Sequence, residues 1–228
     1  MIRVNVRQGS PEWTAARLAM PTASQFHRII TAKTRKLSTQ ADAYMHELLA
    51  EWLLGEPLDS VNSPYMQRGT ELEDSGVAYY EFATNIATDQ VGFITRDDGL
   101  VGCSPDRLVG SDGGLEIKVP GAAKHVGHML GGLDDYTVQV HGCMWICERQ
   151  WWDVLSFNPC LPCVMMRIKR DQELIDNLSD AVDEFLERMT GAKQRLIALG
   201  CVPVIAGVKE TANDDNPEAQ SQTNIHFH

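Results

Sequence analysis

The sequence predicts a single α/β (α+β) domain built around a central mixed β-sheet that is flanked by helices. Helical patterns at both ends of the chain enclose a central group of short strand-like runs, which is the order expected of such a fold. The 228 residues are 43% hydrophobic and 22% charged, as in an ordinary globular domain. We expect residues 1–207 to form this domain. Residues 208–228 are polar and aperiodic, which predicts a disordered tail.

Four helices are predicted in the first part of the chain. The first begins at Ser10, whose hydroxyl can cap a helix, and Pro11 follows at the first helical position. In the third, apolar residues recur every three to four positions until Gly55 ends the pattern. The predicted helices cover residues 10–18, 22–30, 39–54 and 64–82.

Strand-like runs follow, separated by turns rich in Asp and Gly at residues 97–99 and 111–114. The predicted strands of this group cover residues 90–95, 100–103, 107–109 and 115–119. Two further helices, two further strands and a long amphipathic helix complete the chain. These elements cover residues 122–130, 135–147, 151–157, 164–169 and 171–199, respectively.

The charge distribution is uneven. The net charge is −11, but residues 1–40 hold seven basic side chains and one acidic one, so they carry +6 and the remainder carries −17. Such a chain can hold a polyanion at its basic end, although a solvated basic face explains the same pattern. No apolar run approaches the roughly 20 residues that span a bilayer, and no secretory signal is visible, which predicts a cytoplasmic protein.

Six cysteines in a reducing compartment are expected to be thiols or metal ligands. Cys143 with Cys147, and Cys160 with Cys163, could bind zinc or an iron–sulfur cluster if the two pairs came together. Because the first pair is predicted on a helix and the second between strands, we favour small buried thiols for all four.

The most informative segment contains Asp106, Glu116 and Lys118. The Asp- and Gly-rich turn between them predicts an antiparallel hairpin. Because side chains alternate on a strand, Glu116 and Lys118 share one face, and the opposite arm can bring Asp106 to them. Two carboxylates, with the backbone carbonyl of Ile117 as a further oxygen, suit Mg²⁺ or Mn²⁺.

A metal pair at this point would activate water and hydrolyse a phosphodiester, with Lys118 orienting the water, deprotonating it or stabilising the phosphate. The alternative is a surface hairpin with an ordinary Glu–Lys pair. The apolar neighbours Leu115, Ile117 and Val119 favour the first interpretation, since charged side chains on a half-buried strand need a reason.

Four blocks of sequence, in a characteristic order, extend this pattern over roughly residues 8–200. They are Trp13 with residues 16–18 and 22–24, residues 68–73, residues 103–106 with 114–120, and residues 136–140 with 144–145. Together they resemble the phage lambda exonuclease family, the YqaJ-like viral recombinases of the PD-(D/E)xK nuclease superfamily. The resemblance implies a restriction-endonuclease-like core.

The resemblance also assigns residues. Asp106, Glu116 and the Ile117 carbonyl would bind two Mg²⁺ ions, with Mn²⁺ able to substitute, Lys118 would be the catalytic lysine, and Glu73 would approach the metals from a helix. A terminal 5′-phosphate would be bound by the set Arg17, Ser24, Ser104 and Gln139. Met66 occupies the position of an apolar wedge that separates the strands. Where the family commonly has a second Gln, this chain has His141.

The implied activity is Mg²⁺-dependent digestion of one strand of double-stranded DNA from a 5′-phosphorylated end, which releases mononucleotides and leaves a 3′ overhang. The family forms a ring-shaped homotrimer and works with a single-strand annealing recombinase, in the cytoplasm of a bacterial host and encoded by a phage or prophage. Two alternatives stay open: a structure-specific or restriction-type endonuclease of the same superfamily, and a non-catalytic protein that binds DNA ends.

Overall fold

The structure is a computed structural model that describes residues 1–31, 33–58 and 64–204, with side chains described from residue 72 in the last range. The predicted tail at 208–228 and the domain boundary at 207 lie outside the described residues. Within those ranges, no helix combines the length and the apolar character that crossing a bilayer requires.

Eight strands form two sheets in the described residues. They are β1 (Ile2–Val4), β2 (Thr88–Asp89), β3 (Phe93–Thr95), β4 (Gly102–Cys103), β5 (Arg107–Val109), β6 (Gly113–Lys118), β7 (Trp151–Ser156) and β8 (Val164–Lys169). The larger sheet has the order β2-β5-β6-β7-β8, and only its β6–β7 pair is parallel. This mixed sheet with helices on its faces confirms the predicted fold class.

Within the described part of the chain, six α-helices surround the sheets: α1 (Pro11–Arg17), α2 (Ala41–Leu54), α3 (Pro64–Thr84), α4 (Ala122–Gly131), α5 (Thr137–Ile146) and α6 (Gln172–Ala198). Local signals set several ends. The Ser10 hydroxyl accepts a hydrogen bond from the Trp13 amide, and Gly55 ends α2 in a left-handed conformation with φ of 70°. The predicted helix at 22–30 is instead a 3₁₀ helix (Ala23–Arg28), and a second 3₁₀ turn (Asp134–Tyr136) precedes α5.

The predicted strand at 90–95 is correct only in its second half: residues 93–95 form β3, whereas residues 90–92 connect it to β2, which lies just before the predicted range and belongs to the other sheet. β2 pairs with β5, whereas β3 pairs with β1 and β4 in a separate three-stranded sheet. At Gly92 a Cβ atom would lie 1.7 Å from the Val6 carbonyl oxygen, so the chain passes too close to its neighbour for a side chain. The small sheet was not predicted, since β1 has only three residues.

The two faces of β6 pack against different layers. Leu115 and Ile117 pack in a small cluster with Val77 of α3, whereas the largest fully buried side chain, Trp152, belongs to the main core on the other face. α3 approaches β6 closely, since a Cβ at Gly76 would lie 2.9 Å from Ile117 Cγ2. Strand β6 is therefore covered on both faces. Its even-numbered side chains point toward the main core and α5.

Candidate active site

The β5–β6 hairpin brings the three predicted catalytic side chains together. The hairpin is antiparallel, as expected, and places Arg107 opposite Leu115, so Asp106 lies beside the carboxyl end of β6. The Ile117 amide donates a hydrogen bond to Asp106 Oδ2 at 2.6 Å. The Lys118 ammonium donates to Glu116 Oε1 at 2.7 Å. Two carboxylates and an ammonium thus share one end of the sheet.

Negative charge is concentrated at this point. Burial and the neighbouring charges of Glu116 and Glu73 raise the pKa of Asp106 well above its usual range. Burial likewise raises the pKa of Glu73, against the opposing effect of Arg107. Burial by itself would lower the pKa of Lys118, but the adjacent Glu116 carboxylate outweighs it, and the pKa is raised. The cluster therefore favours the binding of a positively charged group and the protonated form of Lys118.

The donor set of the site fits a hard divalent cation. Glu116 is 5% exposed, and its Oε2 atom is buried without a hydrogen-bond partner among the described residues. A buried carboxylate oxygen of this kind is costly unless something binds it. Asp106, Glu116 and the Ile117 carbonyl would supply the oxygen ligands that Mg²⁺ and Mn²⁺ prefer. Within the described ranges, however, no three His, Cys, Asp or Glu side chains form a preformed metal centre.

Arg107, which was not among the predicted site residues, links Glu73 of α3 to the site. Arg107 is 8% exposed, donates to the backbone oxygen of Asp106 at 2.6 Å and pairs with Glu73 at 3.6 Å. It also lies 3.4 Å from Asp74. The available signal was a basic residue directly after Asp106, within an apolar strand. Arg107 holds α3 against the hairpin and keeps Glu73 near the carboxylates.

Gln139 joins the carboxylate–lysine group. Its amide nitrogen donates to Glu116 Oε1 at 2.7 Å, and its amide oxygen accepts from the Lys118 ammonium at 3.2 Å. The family resemblance assigned this residue to the 5′-phosphate instead. In the structure it cross-links the two side chains of β6 from α5.

Arg17 and Ser104 meet at a second point. The Ser104 hydroxyl accepts hydrogen bonds from Arg17 Nη1 at 2.8 Å and from the Trp13 indole at 2.9 Å. The guanidinium of Arg17 lies 4.1 Å from the centre of the Trp13 ring, and burial lowers its pKa. Trp13 therefore fixes both residues. Because Ser104 is two residues before Asp106, this point adjoins the carboxylate site.

The remaining predicted residues are less closely joined. The Ser24 hydroxyl lies 3.3 Å from Thr22 Oγ1, and within the described part of the chain no hydrogen bond links it to Arg17, Ser104 or Gln139. The side chain of Met66 lies outside the described residues. His141 is buried between the Thr137 carbonyl and the Asp171 amide, so it connects α5 to the start of α6.

The basic N-terminal segment is partly neutralised within the molecule. Arg28 forms a two-pronged ion pair with Glu47, with N–O distances of 2.6 and 2.7 Å. Arg35 pairs with both Asp171 and Glu173. Fewer of its charges are therefore available to a polyanion than the sequence suggested.

The cysteines divide into two groups. Cys103 and Cys147 are buried with their sulfur atoms 3.4 Å apart, and Cys143 is buried beside them. Cys160 is exposed and Cys163 is half-buried. The prediction of four buried thiols is thus wrong for this second pair, because the loop between β7 and β8 leaves it at the surface.

The comparisons with known proteins agree on one family of exonucleases. Residues 12–150 match the model of the YqaJ-like viral recombinase domain. The chain is similar to an alkaline exonuclease from Laribacter hongkongensis, LHK-Exo, at 32% identity and a TM-score of 0.76, over 84% of this chain and 98% of that one. The same values hold for LHK-Exo in complex with dAMP.

A phage related exonuclease from Haemophilus somnus 129PT shares the fold at 19% identity and a TM-score of 0.62, over 79% of this chain and 96% of that one. No curated protein matches the chain.

Proposed function

We propose, because the chain belongs to the YqaJ-like viral recombinase family of exonucleases, that it is a Mg²⁺-dependent 5′-to-3′ exodeoxyribonuclease. It degrades one strand of double-stranded DNA from a 5′-phosphorylated end, and leaves mononucleotides and a 3′ overhang. The complex of LHK-Exo with dAMP supports mononucleotides as the product class. Family membership makes the chain a nuclease; the metal and the direction of digestion are the proposal.

The observation that carries the proposal is the carboxylate pair with its unpartnered oxygen. Glu116 Oε2 is buried without a partner among the described residues, while burial and neighbouring carboxylates raise the pKa of Asp106. A divalent cation would relieve both features; Asp106, Glu116 and the Ile117 carbonyl would hold it, with Glu73 as a further ligand. We propose two Mg²⁺ ions, and Mn²⁺ as a substitute.

Each protein group then has a task. When bound, Mg²⁺ would offset the negative charge that grows on the phosphate as the bond breaks. Lys118 holds an ammonium beside Glu116, from which it can donate hydrogen bonds to the attacking water or to a phosphate oxygen. Gln139 limits the rotation of both side chains, since it bonds to each. This keeps the ammonium in one orientation.

The end-recognition site is proposed from Arg17, Ser104, Ser24 and Gln139. A guanidinium offers a two-pronged donor to phosphate oxygens, and the stacking on Trp13 orients it. One N–H group of Arg17 already donates to the Ser104 hydroxyl, so the two residues would bind the phosphate together. Met66 is proposed as the wedge that separates the strands.

We infer the oligomeric state and the partner protein from the family. We propose a ring-shaped homotrimer around the DNA, which would retain the substrate by topology rather than by tight binding. The overhang would pass to a single-strand annealing recombinase. The expected location is the cytoplasm of a bacterial host, with the gene carried by a phage or prophage.

The direct test compares three DNA substrates with labelled ends: linear duplex with 5′-phosphate, linear duplex with 5′-hydroxyl, and closed circles. We expect fast release of mononucleotides from the first, slower release from the second and no cutting of circles. Removal of Mg²⁺ with a chelator should stop hydrolysis. Ca²⁺ in its place should permit DNA binding without turnover, because it holds looser geometry. Full activity in Ca²⁺ would contradict the metal assignment.

The same assay separates the alternatives. Cutting of closed circles would favour an endonuclease. A non-catalytic protein would give no turnover with any substrate, and Lys118→Ala would leave its DNA binding and its phenotype unchanged. Lys169→Ala is the matched control, because Lys169 is exposed at the end of β8.

A further inference from the structure

A group of buried polar side chains lies beside Lys118, on the neighbouring strand β7 and on α4. These side chains have no role in the proposed chemistry. Its centre is Ser156 at the end of β7, which is fully buried. The Ser156 hydroxyl lies 2.8 Å from the Nδ1 atoms of both His125 and His128 on α4. These two histidines are 0% and 6% exposed, respectively. We call His125, Ser156 and His128 the histidine relay.

A single backbone carbonyl sets the direction of every hydrogen bond in the relay. His125 Nε2 lies 2.9 Å from the Pro162 carbonyl oxygen, which can only accept, so Nε2 carries the hydrogen. In a neutral ring, Nδ1 of His125 must then accept, and the Ser156 hydroxyl donates to it. Since that hydroxyl has one hydrogen, its remaining lone pairs accept from His128 Nδ1–H. Nε2 of His128 is left as an acceptor.

Tyr136 completes the sequence of bonds. Its hydroxyl lies 3.4 Å from His128 Nε2, the long end of the hydrogen-bond range, and the two rings pack edge to face with centroids 5.7 Å apart. The hydroxyl therefore donates to the histidine. On its other side, the Tyr136 ring lies 4.8 Å from the Lys118 ammonium, a cation–π contact.

The neutral state that this pattern requires is favoured at His128. Burial, together with the positive charge of Lys124, lowers its pKa. The parallel pairing of β6 and β7 places Ser156 opposite Lys118, so the relay and the lysine belong to one rigid part of the sheet.

We propose that the histidine relay is a positioning device that orients Tyr136 and, through its ring, the ammonium of Lys118. The three relay residues are buried and act through Tyr136. The role for Lys118 rests on the function proposed above, whereas the bonding pattern of the relay stands without it.

The bonding pattern can be read by NMR on the full chain labelled with ¹⁵N-histidine. Two-bond nitrogen–proton correlations distinguish the tautomers of neutral histidine. We expect hydrogen on Nε2 of His125 and, against the usual preference of free imidazole, on Nδ1 of His128. Spectra of His125→Asn and His128→Asn assign the signals. In Tyr136→Phe, the Nε2 resonance of His128 should move because its donor is lost, while the His125 signals stay in place.

Kinetics test the link to Lys118. Tyr136→Phe keeps the ring and removes the hydroxyl, and His128→Phe removes the acceptor. Each should lower kcat by roughly 3- to 30-fold and leave the KM for DNA within about 2-fold, since orientation and not binding is lost. His128→Gln offers a side-chain oxygen to the tyrosine hydroxyl and should recover part of the loss. His46→Phe, at an exposed position of α2, serves as the matched control.

Two results would overturn the proposal. One is hydrogen on Nε2 of His128 in the wild type; the other is wild-type kcat in both Tyr136→Phe and His128→Phe. A protein that shows the expected tautomers but hydrolyses no DNA would contradict the proposed function and still support the relay.

Discussion

Gly114→Ala probes the packing that sets the position of β6. A Cβ at residue 114 would lie 2.4 Å from three atoms of the Trp152 indole. Carbon atoms pack best at about 3.5–4.0 Å, so the ring or the strand must move by roughly 1 Å or more. Trp152 is fully buried and has no open side toward which it can turn. Overpacking of this kind costs about 1–3 kcal/mol and occasionally more, and we expect about 3 kcal/mol here.

The assay is thermal unfolding followed by circular dichroism. For a chain of this size, each kcal/mol shifts Tm by about 2–4 °C, so Gly114→Ala should melt roughly 6–12 °C below the wild type. Nuclease activity should fall as well, because Glu116 is two residues further along the same strand. Gly127→Ala is the matched control. Gly127 lies exposed in α4, and a Cβ added there would meet nothing within 4 Å, so this exchange should raise stability by up to about 1 kcal/mol. A Tm for Gly114→Ala within about 1 °C of the wild type would refute the reasoning.

Three further predictions concern charge. Asp106→Asn should lower kcat by roughly 1,000-fold or more while DNA binding persists, because the proposed metal ligand is lost and a repulsive charge is removed. Arg17→Ala should reduce the preference for 5′-phosphorylated over 5′-hydroxyl ends by roughly 10- to 100-fold, the value of charge-assisted hydrogen bonds. Burial raises the pKa of Tyr44 to about 12, above its unfolded value of about 10, so its contribution to folding is complete below pH 10 and is lost as the pH rises through 12. Tyr44→Phe should remove that part of the alkaline unfolding profile.

Each of these three has a control or a contrary outcome. Asp180→Asn, at an exposed position of α6, should leave kcat unchanged, and near-wild-type cleavage by Asp106→Asn would exclude Asp106 from the metal site. Arg3→Ala is the control for Arg17→Ala, and equal losses on both kinds of DNA end would count against the phosphate site. For Tyr44→Phe, a stability difference from the wild type that stays constant between pH 9 and 12 would contradict the linkage.

Local patterns predicted much of the fold. Helix ends followed from Ser10, Pro11 and Gly55, and the hairpin followed from its Asp- and Gly-rich turn. The strand predicted at 90–95 is shorter than expected, because residues 90–92 leave the larger sheet and pass against Val6, more than eighty residues away in the sequence, before β3 begins. Pairing over such a distance leaves no periodic signal in either segment.

The sequence by itself determined which side chains of β6 share a face, since alternation along a strand requires no partner: Glu116 and Lys118 had to point the same way. Only the tertiary structure decided what surrounds them. Gln139 and Tyr136 approach from the α5 side, and Ser156 arrives through the parallel pairing of β6 with β7. The physical reason is that alternation is a property of one extended segment, whereas these neighbours come from separate elements that are joined only when the hydrophobic core forms.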